Sequence, residues 1–483
     1  MLAAATLAGC DSLDQLPISS KSVEGFYKTE THINQALVGC YTGLRAVWMN
    51  SAYSYQLTES RSDNTFQGPG TADDPISRFE VTADLPVFSS AWSEYYTFIN
   101  RVNQVLTALP SVEIASDKRG QYEGEARFMR AMFYFDLVRL FGGVPKVTTP
   151  LSIEESYEIP RSTIEEIYDL IVADLTAAND LLPDVWDNTN KGRVTKWAGK
   201  AYLGKVYLFR SGYPLKKAEF PKAVSLFEEV INSGKFSFLP NYEDNYSYAN
   251  EGGKQQVFSI QYKAGTSGNG NPFPTGNAFN DIAPLPIAQG GIPFGGSPLN
   301  LFVSKEMVAG FETGDKRKTV ALRLSYLDKS GTTINLPFCQ KYQNGPVMAA
   351  SDWDIDWITL SYTDVLMMYA ESLNEVGYQS TGKAFEILNN IRQRAGLAKK
   401  TAEDVPDQQS YRLWMEQERR YELCFENLRW FDLVRTDRAL EVMKDFLSKY
   451  GLGANVKSRD QYLYPIPQSV INTSPKITQN PGY

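Results

Sequence analysis

Leu203-Gly204-Lys205-Val206-Tyr207, followed by Ala223-Val224-Ser225-Leu226-Phe227, is the stretch that decides the fold. Each half lies in a segment with apolar residues at helical spacing, and Ser211 to Lys217 forms an insertion in the turn between them. A glycine on one helix allows a neighbour to approach closely, and an aromatic one helix later can fill the groove that the missing side chain leaves. Ala370 to Leu373 with Ala384-Phe385-Glu386-Ile387-Leu388 is a looser second copy.

This placement of small and aromatic residues is that of a tetratricopeptide unit. Outward from it, helical periodicity predicts helices over Thr31–Met49, Ser90–Leu109, Lys118–Phe141, Thr163–Leu182, Lys196–Arg210 and Lys222–Asn232. Further helices are expected at Ser361–Val376, Lys383–Ala395, Ser410–Val434 and Arg438–Lys449. Gly142-Gly143 with Pro145 gives the third helix a stop signal. In the helix from Ser361, Leu366, Tyr369, Ala370, Leu373 and Val376 form an apolar stripe, which leaves Asp364, Glu371 and Glu375 on the other side.

Two long segments break the pattern. Ser51 to Ser89 is irregular, and from Phe236 to Pro298 the chain turns rich in Gly, Pro, Asn and Ser, with only Gln256 to Tyr262 resembling a strand. Tyr462 to Tyr483 reads as an extended strap. The expected fold is therefore mainly α: a tetratricopeptide-like helical-repeat scaffold with long irregular loop insertions and a few short strands.

Composition narrows the function. The chain has 483 residues, 43% hydrophobic and 22% charged, as a folded globular protein does. A net charge of −8 without a dense basic run argues against a nucleic-acid partner. The single histidine, His32, excludes a site built on two His ligands and reads as a structural residue near a helix start. Cys10, Cys40, Cys339 and Cys424 lack metal-type spacing, and Cys424 lies in an apolar run as a small buried hydrophobe would. Neither metal nor cofactor is expected. No apolar run reaches the ~18 residues of a spanning helix.

The charged residues read as scaffold. The helix around Phe128 to Phe141 is apolar on nearly every side, yet it carries Arg130, Asp136 and Arg139. Between Glu416 and Arg435 acids and bases alternate, each acid with a basic neighbour at helical spacing. Such neighbours hold carboxyls ionised and leave no obvious general acid for glycoside hydrolysis, so no catalytic residue is assigned.

The apolar stretch Met1 to Gly9, ending Leu7-Ala8-Gly9-Cys10, resembles the end of a bacterial lipoprotein signal peptide. On this reading residues 1–10 are the signal with Cys10 lipidated, 11–22 a polar tether, and 23–483 one domain. Larger motifs resemble one family, SusD/RagB. They are Glu125-Ala126-Arg127-Phe128 through Phe141-Gly142-Gly143-Val144-Pro145; Leu388-Asn389 with Ile391-Arg392 and Arg394-Ala395-Gly396-Leu397; Glu418-Arg419-Arg420 through Arg435; and Tyr464-Pro465-Ile466-Pro467 with Asn480-Pro481-Gly482-Tyr483. Asn427 stands where the family pattern usually has Gly, and Asn tolerates the left-handed conformation that Gly would supply.

The resemblance implies an outer-membrane lipoprotein of Bacteroidota, exposed at the cell surface through its lipid anchor. It would capture oligosaccharide or peptide nutrients and deliver them to a SusC-like TonB-dependent transporter. A surface polysaccharide hydrolase and a protein-binding repeat scaffold are the alternatives. In the family the ligand is held by loops from the two regions that are irregular here. The candidate ligand residues, chosen for chemistry rather than by motif, are Arg61, Asp63, Asn64 and Phe66 in the first insertion. In the second they are Asn271, Phe273, Asn277, Phe279 and Phe294. An aromatic face with nearby amides and charges suits a sugar ring and would equally suit a peptide. The segment Trp353 to Trp357 is the reserve location.

Overall fold

A computed structural model describes residues 26–49, 55–66, 74–265, 268–276, 279–287, 291–295 and 302–483. The first half is a run of helices, each packed on the next: α1 (Glu30–Met49), α2 (Pro86–Ala108), α3 (Ser116–Phe141), α4 (Ile164–Leu181), α5 (Lys196–Ser211) and α6 (Phe220–Asn232). Their ends agree with the sequence signals. Thr163 accepts from the Glu166 amide at the start of α4, and the Glu166 carboxylate accepts from the Thr163 amide, a reciprocal cap that satisfies two otherwise unpaired donors. Gly142 ends α3 at φ +74°, where a Cβ would stand 2.7 Å from Leu463 of the C-terminal strap.

Helix α6 packs against α7 (Tyr362–Val376), so two helices far apart in sequence are neighbours in the stack. The chain between them leaves and returns through one antiparallel ladder, β1 (Gln256–Ile260) with β2 (Trp357–Ser361). Residues 261–356 are thus an excursion on a two-stranded neck. Its outer part has its own small core of Phe279, Ile282, Ile292, Phe302, Tyr326 and Phe338. Beyond α7 come α8 (Lys383–Arg394), α9 (Gln408–Glu422), α10 (Arg429–Arg435) and α11 (Ala439–Ser448). No helix among the described residues is long and apolar enough to cross a membrane.

The expected fold class is the observed one, with three corrections. The single helix expected over Ser410–Val434 is two, because Phe425 and Asn427 both adopt φ +62° between α9 and α10. Asp364 and Glu371 do not face solvent opposite an apolar stripe; both are buried, whereas Val376 is exposed. The strap is not wholly extended, since Gln468–Thr473 forms a turn of helix.

Those buried acids belong to an ion-pair seam that joins the second-half helices to the first. Arg419 bridges Asp364 (2.8 Å) and Asp432 (2.9 Å), and Arg435 bridges Glu371 (2.5 Å) and Asp432 (2.8 Å). Lys205 of α5 reaches Asp364 at 3.1 Å. In α3, Asp136 pairs with Arg139, and Arg130 takes both oxygens of Asp174 at 2.7 and 2.8 Å. The structural role expected of both charged clusters is met. Cys40, Cys339 and Cys424 are buried free thiols.

Candidate functional site

The first insertion, with the end of α1 that leads into it, lies against the second insertion and the chain just beyond it at successive points. At the end of α1, Arg45 Nη1 donates to Asn269 Oδ1 at 2.5 Å. Tyr55 stacks on Phe273 with centroids 4.6 Å apart. Thr65 bridges to Val303, and the Phe66 amide donates to the Phe302 carbonyl at 2.8 Å. The regions expected to carry ligand chemistry are therefore brought together, on a frame of helices and the β1–β2 neck.

Most of the residues chosen from sequence form the floor of that junction rather than its surface. Arg61 is fully buried: it donates to the carbonyls of Ile76 (2.9 Å) and Gln461 (3.2 Å), with its guanidinium 3.5 Å from the Phe79 ring centroid. Asp63 is buried between Arg429 (2.8 Å) and Arg420 (3.1 Å). Burial pushes its carboxyl up, but the two guanidiniums outweigh that and hold it at about 2. Asn64 accepts from Arg420 and donates to Glu59. Asn271 is buried and fixes the backbone, donating to the Ile355 carbonyl and accepting from the Phe273 amide, each at 2.9 Å. Phe273 is wedged between Tyr55 and Trp357, and Phe279 sits in the small outer core. As they stand, these side chains offer a ligand almost no surface. Trp353 and Trp357 are wholly buried too, which removes the reserve location as a stacking platform. Phe66, stacked on Tyr450 at 3.9 Å, and Phe294 remain half-exposed. Asn277 lies outside the described residues.

At the root of the junction a cleft of about 460 Å³ opens between α1, the turn around Gly192 and the outgoing end of β1. Its walls are the rings of Tyr41 and Tyr262 with Val38, Leu44, Phe258 and Ile260; its polar groups include Arg45, Lys191, Gln261 and Asn269. Tyr41 is held in place by donating to Glu125 (2.6 Å) and accepting from the Val194 amide (3.0 Å). Sequence reasoning missed this group. Gln261-Tyr262-Lys263 directly after a strand and Lys191-Gly192-Arg193 in a turn were its only traces, and only folding unites them with Arg45.

Behind the cleft, Asp356 accepts from the Tyr262 amide (2.9 Å) and Gln261 Nε2 (2.6 Å), and Glu251 accepts from the Asp356 amide (2.6 Å). Burial raises Asp356 to about 6 and Glu251 to about 7, with neighbouring carboxylates adding to the rise. Among the described residues this is a carboxyl group pair outside the ion-pair seam, and it secures the backbone where β1 becomes the excursion. Two other clefts are already satisfied internally or closed over. One of about 270 Å³ beside α7 and α9 is lined by Arg435, Glu371, Arg419 and Asp432, which pair with one another. The other, about 190 Å³, lies beneath the C-terminal strap.

Comparison with known proteins agrees with this architecture. Residues 335–483 match a model described as the SusD family, and residues 11–208 match one described as starch-binding associating with outer membrane. SusD-like protein P2 of Formosa agariphila is 26% identical over 514 aligned positions, covering 99% of this chain and 97% of the relative. A SusD superfamily protein from Parabacteroides distasonis superposes with a TM-score of 0.78 at 26% identity, covering 93% of this chain and 99% of that one. A laminarin-binding SusD-like protein gives a TM-score of 0.77 at 25% identity, with 95% and 100% covered.

Proposed function

The chain belongs to the SusD/RagB family, and from that premise we propose that it binds glycans at the cell surface and passes them to a SusC-like TonB-dependent transporter. The observation that carries the binding role is the 460 Å³ cleft where Asn269 of the second insertion meets Arg45 of α1, just ahead of the first insertion. A rigid helical frame that presents irregular segments at one junction is how repeat proteins carry variable ligand chemistry. The half-exposed Phe66 and Phe294 and the cleft residues Arg45, Tyr262 and Asn269 are the groups we assign to the ligand. The buried candidates Arg61, Asp63, Asn64, Asn271, Phe273 and Phe279 shape the loops that hold it. A lipid on Cys10 would tether the chain to the outer membrane, and a structural neighbour named as a laminarin-binding SusD-like protein supports a glycan ligand.

Binding rather than catalysis fits the carboxyl groups: Asp356 and Glu251 are each engaged by backbone amides. Titrating the purified chain against laminarin, starch and a peptide library, while assaying each glycan for new reducing ends, tests the reading. Saturable glycan binding without hydrolysis is expected. Release of reducing ends that stops in Glu251→Gln would replace it with a hydrolase, and binding of peptide alone would remove the glycan.

A further inference from the structure

The lining of the cleft carries four cations, Arg45, Lys191, Arg193 and Lys263, and no carboxylate, in a chain whose net charge is −8. Two of the four are neutralised from behind, Arg193 by Glu125 at 3.0 Å and Lys263 by Asp354 at 2.5 Å. Arg45 and Lys191 pair with no carboxylate among the described residues; the partner of Arg45 is the neutral amide of Asn269. The Tyr262 hydroxyl, on a ring that is 7% exposed and lines the same cleft, is buried with no hydrogen-bond partner. A buried hydroxyl without a partner is uncommon and marks a place where a ligand or water completes the structure. The apolar walls lower the local dielectric, so an unpaired guanidinium there attracts an anion more strongly than it would on open surface.

We propose that this cleft receives the anionic group of an acidic oligosaccharide, a uronate carboxylate or a sulfate ester, held by Arg45 and the Tyr262 hydroxyl with Lys191 at the rim. The inference rests on the glycan-binding reading above and adds the charge class of the sugar. A guanidinium presents paired donors whose geometry matches both carboxylate and sulfate, and tyrosine supplies a neutral donor to the same group. The sugar ring then lies against the partly exposed Tyr41 ring, as a pyranose lies on an aromatic face.

Calorimetric titration of the purified chain with oligogalacturonate, a carrageenan oligosaccharide, laminarihexaose and hexaglutamate separates the possibilities. One of the two acidic sugars should bind at least tenfold more tightly than laminarihexaose, and which one distinguishes carboxylate from sulfate. Its affinity should fall as salt rises. Arg45→Gln should weaken it at least tenfold and Tyr262→Phe by a smaller factor, with melting unchanged. Lys191→Gln, in an exposed turn where folding is not at stake, should weaken it severalfold. Laminarihexaose binding as tightly as both acidic sugars, or acidic binding untouched by Arg45→Gln and Lys191→Gln, overturns the anionic assignment and leaves the glycan reading in place. Binding of hexaglutamate in preference to every sugar, or of no probe at all, overturns both.

Discussion

A Cβ built on Gly204 would stand 2.7 Å from the ring of Phe227, so the closest approach of α5 and α6 depends on that missing side chain. Phe227 is fully buried and its neighbours leave it little room to retreat. Gly204→Ala should therefore destabilise the protein by about 1 to 3 kcal/mol, the usual cost of overpacking, despite alanine's better helix propensity. Gly39→Ala, where a Cβ would meet nothing within 4 Å, is the control and should gain up to about 1 kcal/mol. Denaturant unfolding of the two variants side by side checks the contrast.

Asp63 helps fasten the first insertion to the second-half helices, through Arg429 and Arg420. Asp63→Ala removes the carboxylate that pairs with the buried Arg429 and the partly buried Arg420, and should cost about 3 to 5 kcal/mol at neutral pH. The folded carboxyl sits at about 2 against an ordinary 3.8, so its contribution is present above pH 3.8 and is lost as pH falls through about 2. Unfolding free energies measured at pH 7 and near pH 2 should show the variant's deficit shrinking.

The repeat pair was legible because Gly204, Phe227 and the helical period are local in sequence, and local signals survive without knowledge of the fold. The same holds for Asp136 with Arg139, one turn apart. The site was legible only as a region. Arg61, Asp63 and Asn271 looked like ligand chemistry because a polar residue in an irregular segment gives no sign of whether it faces solvent or caps a buried backbone. Their partners, Gln461, Arg429 and Ile355, lie far along the chain. The helix break between Glu422 and Arg429 escaped the periodic pattern because its cause is also tertiary. The Asn427 amide donates to Glu59 of the first insertion at 3.0 Å, and Thr58 donates to its side-chain carbonyl at 2.9 Å.

Asp356 gives the opposite pH dependence. Burial holds its folded value at about 6, above the ordinary 3.8, so the folded state keeps the proton longer than the unfolded chain does. Its contribution is full below pH 3.8 and is lost as pH rises through about 6. Asp356→Asn keeps an acceptor for the Tyr262 amide and cannot ionise. Its stability relative to the wild type should therefore rise by about 2 kcal/mol between pH 4 and pH 8, read from denaturant midpoints at each pH.

Lipidation at Cys10 is tested by cell fractionation. Cys10→Ala should move the protein out of the membrane fraction in cells that lack the transporter. A variant still in that fraction would show that the anchor is elsewhere.

The central claim is that ligand is held where the two insertions meet. Hydrogen–deuterium exchange of the purified chain, with and without whichever of the four titrated probes binds most tightly, locates the bound ligand directly. Slowed exchange is expected in peptides covering 41–73 and 258–304, with the groove beside α7 and α9 unchanged. Protection confined to that groove, or to the C-terminal strap, would contradict it.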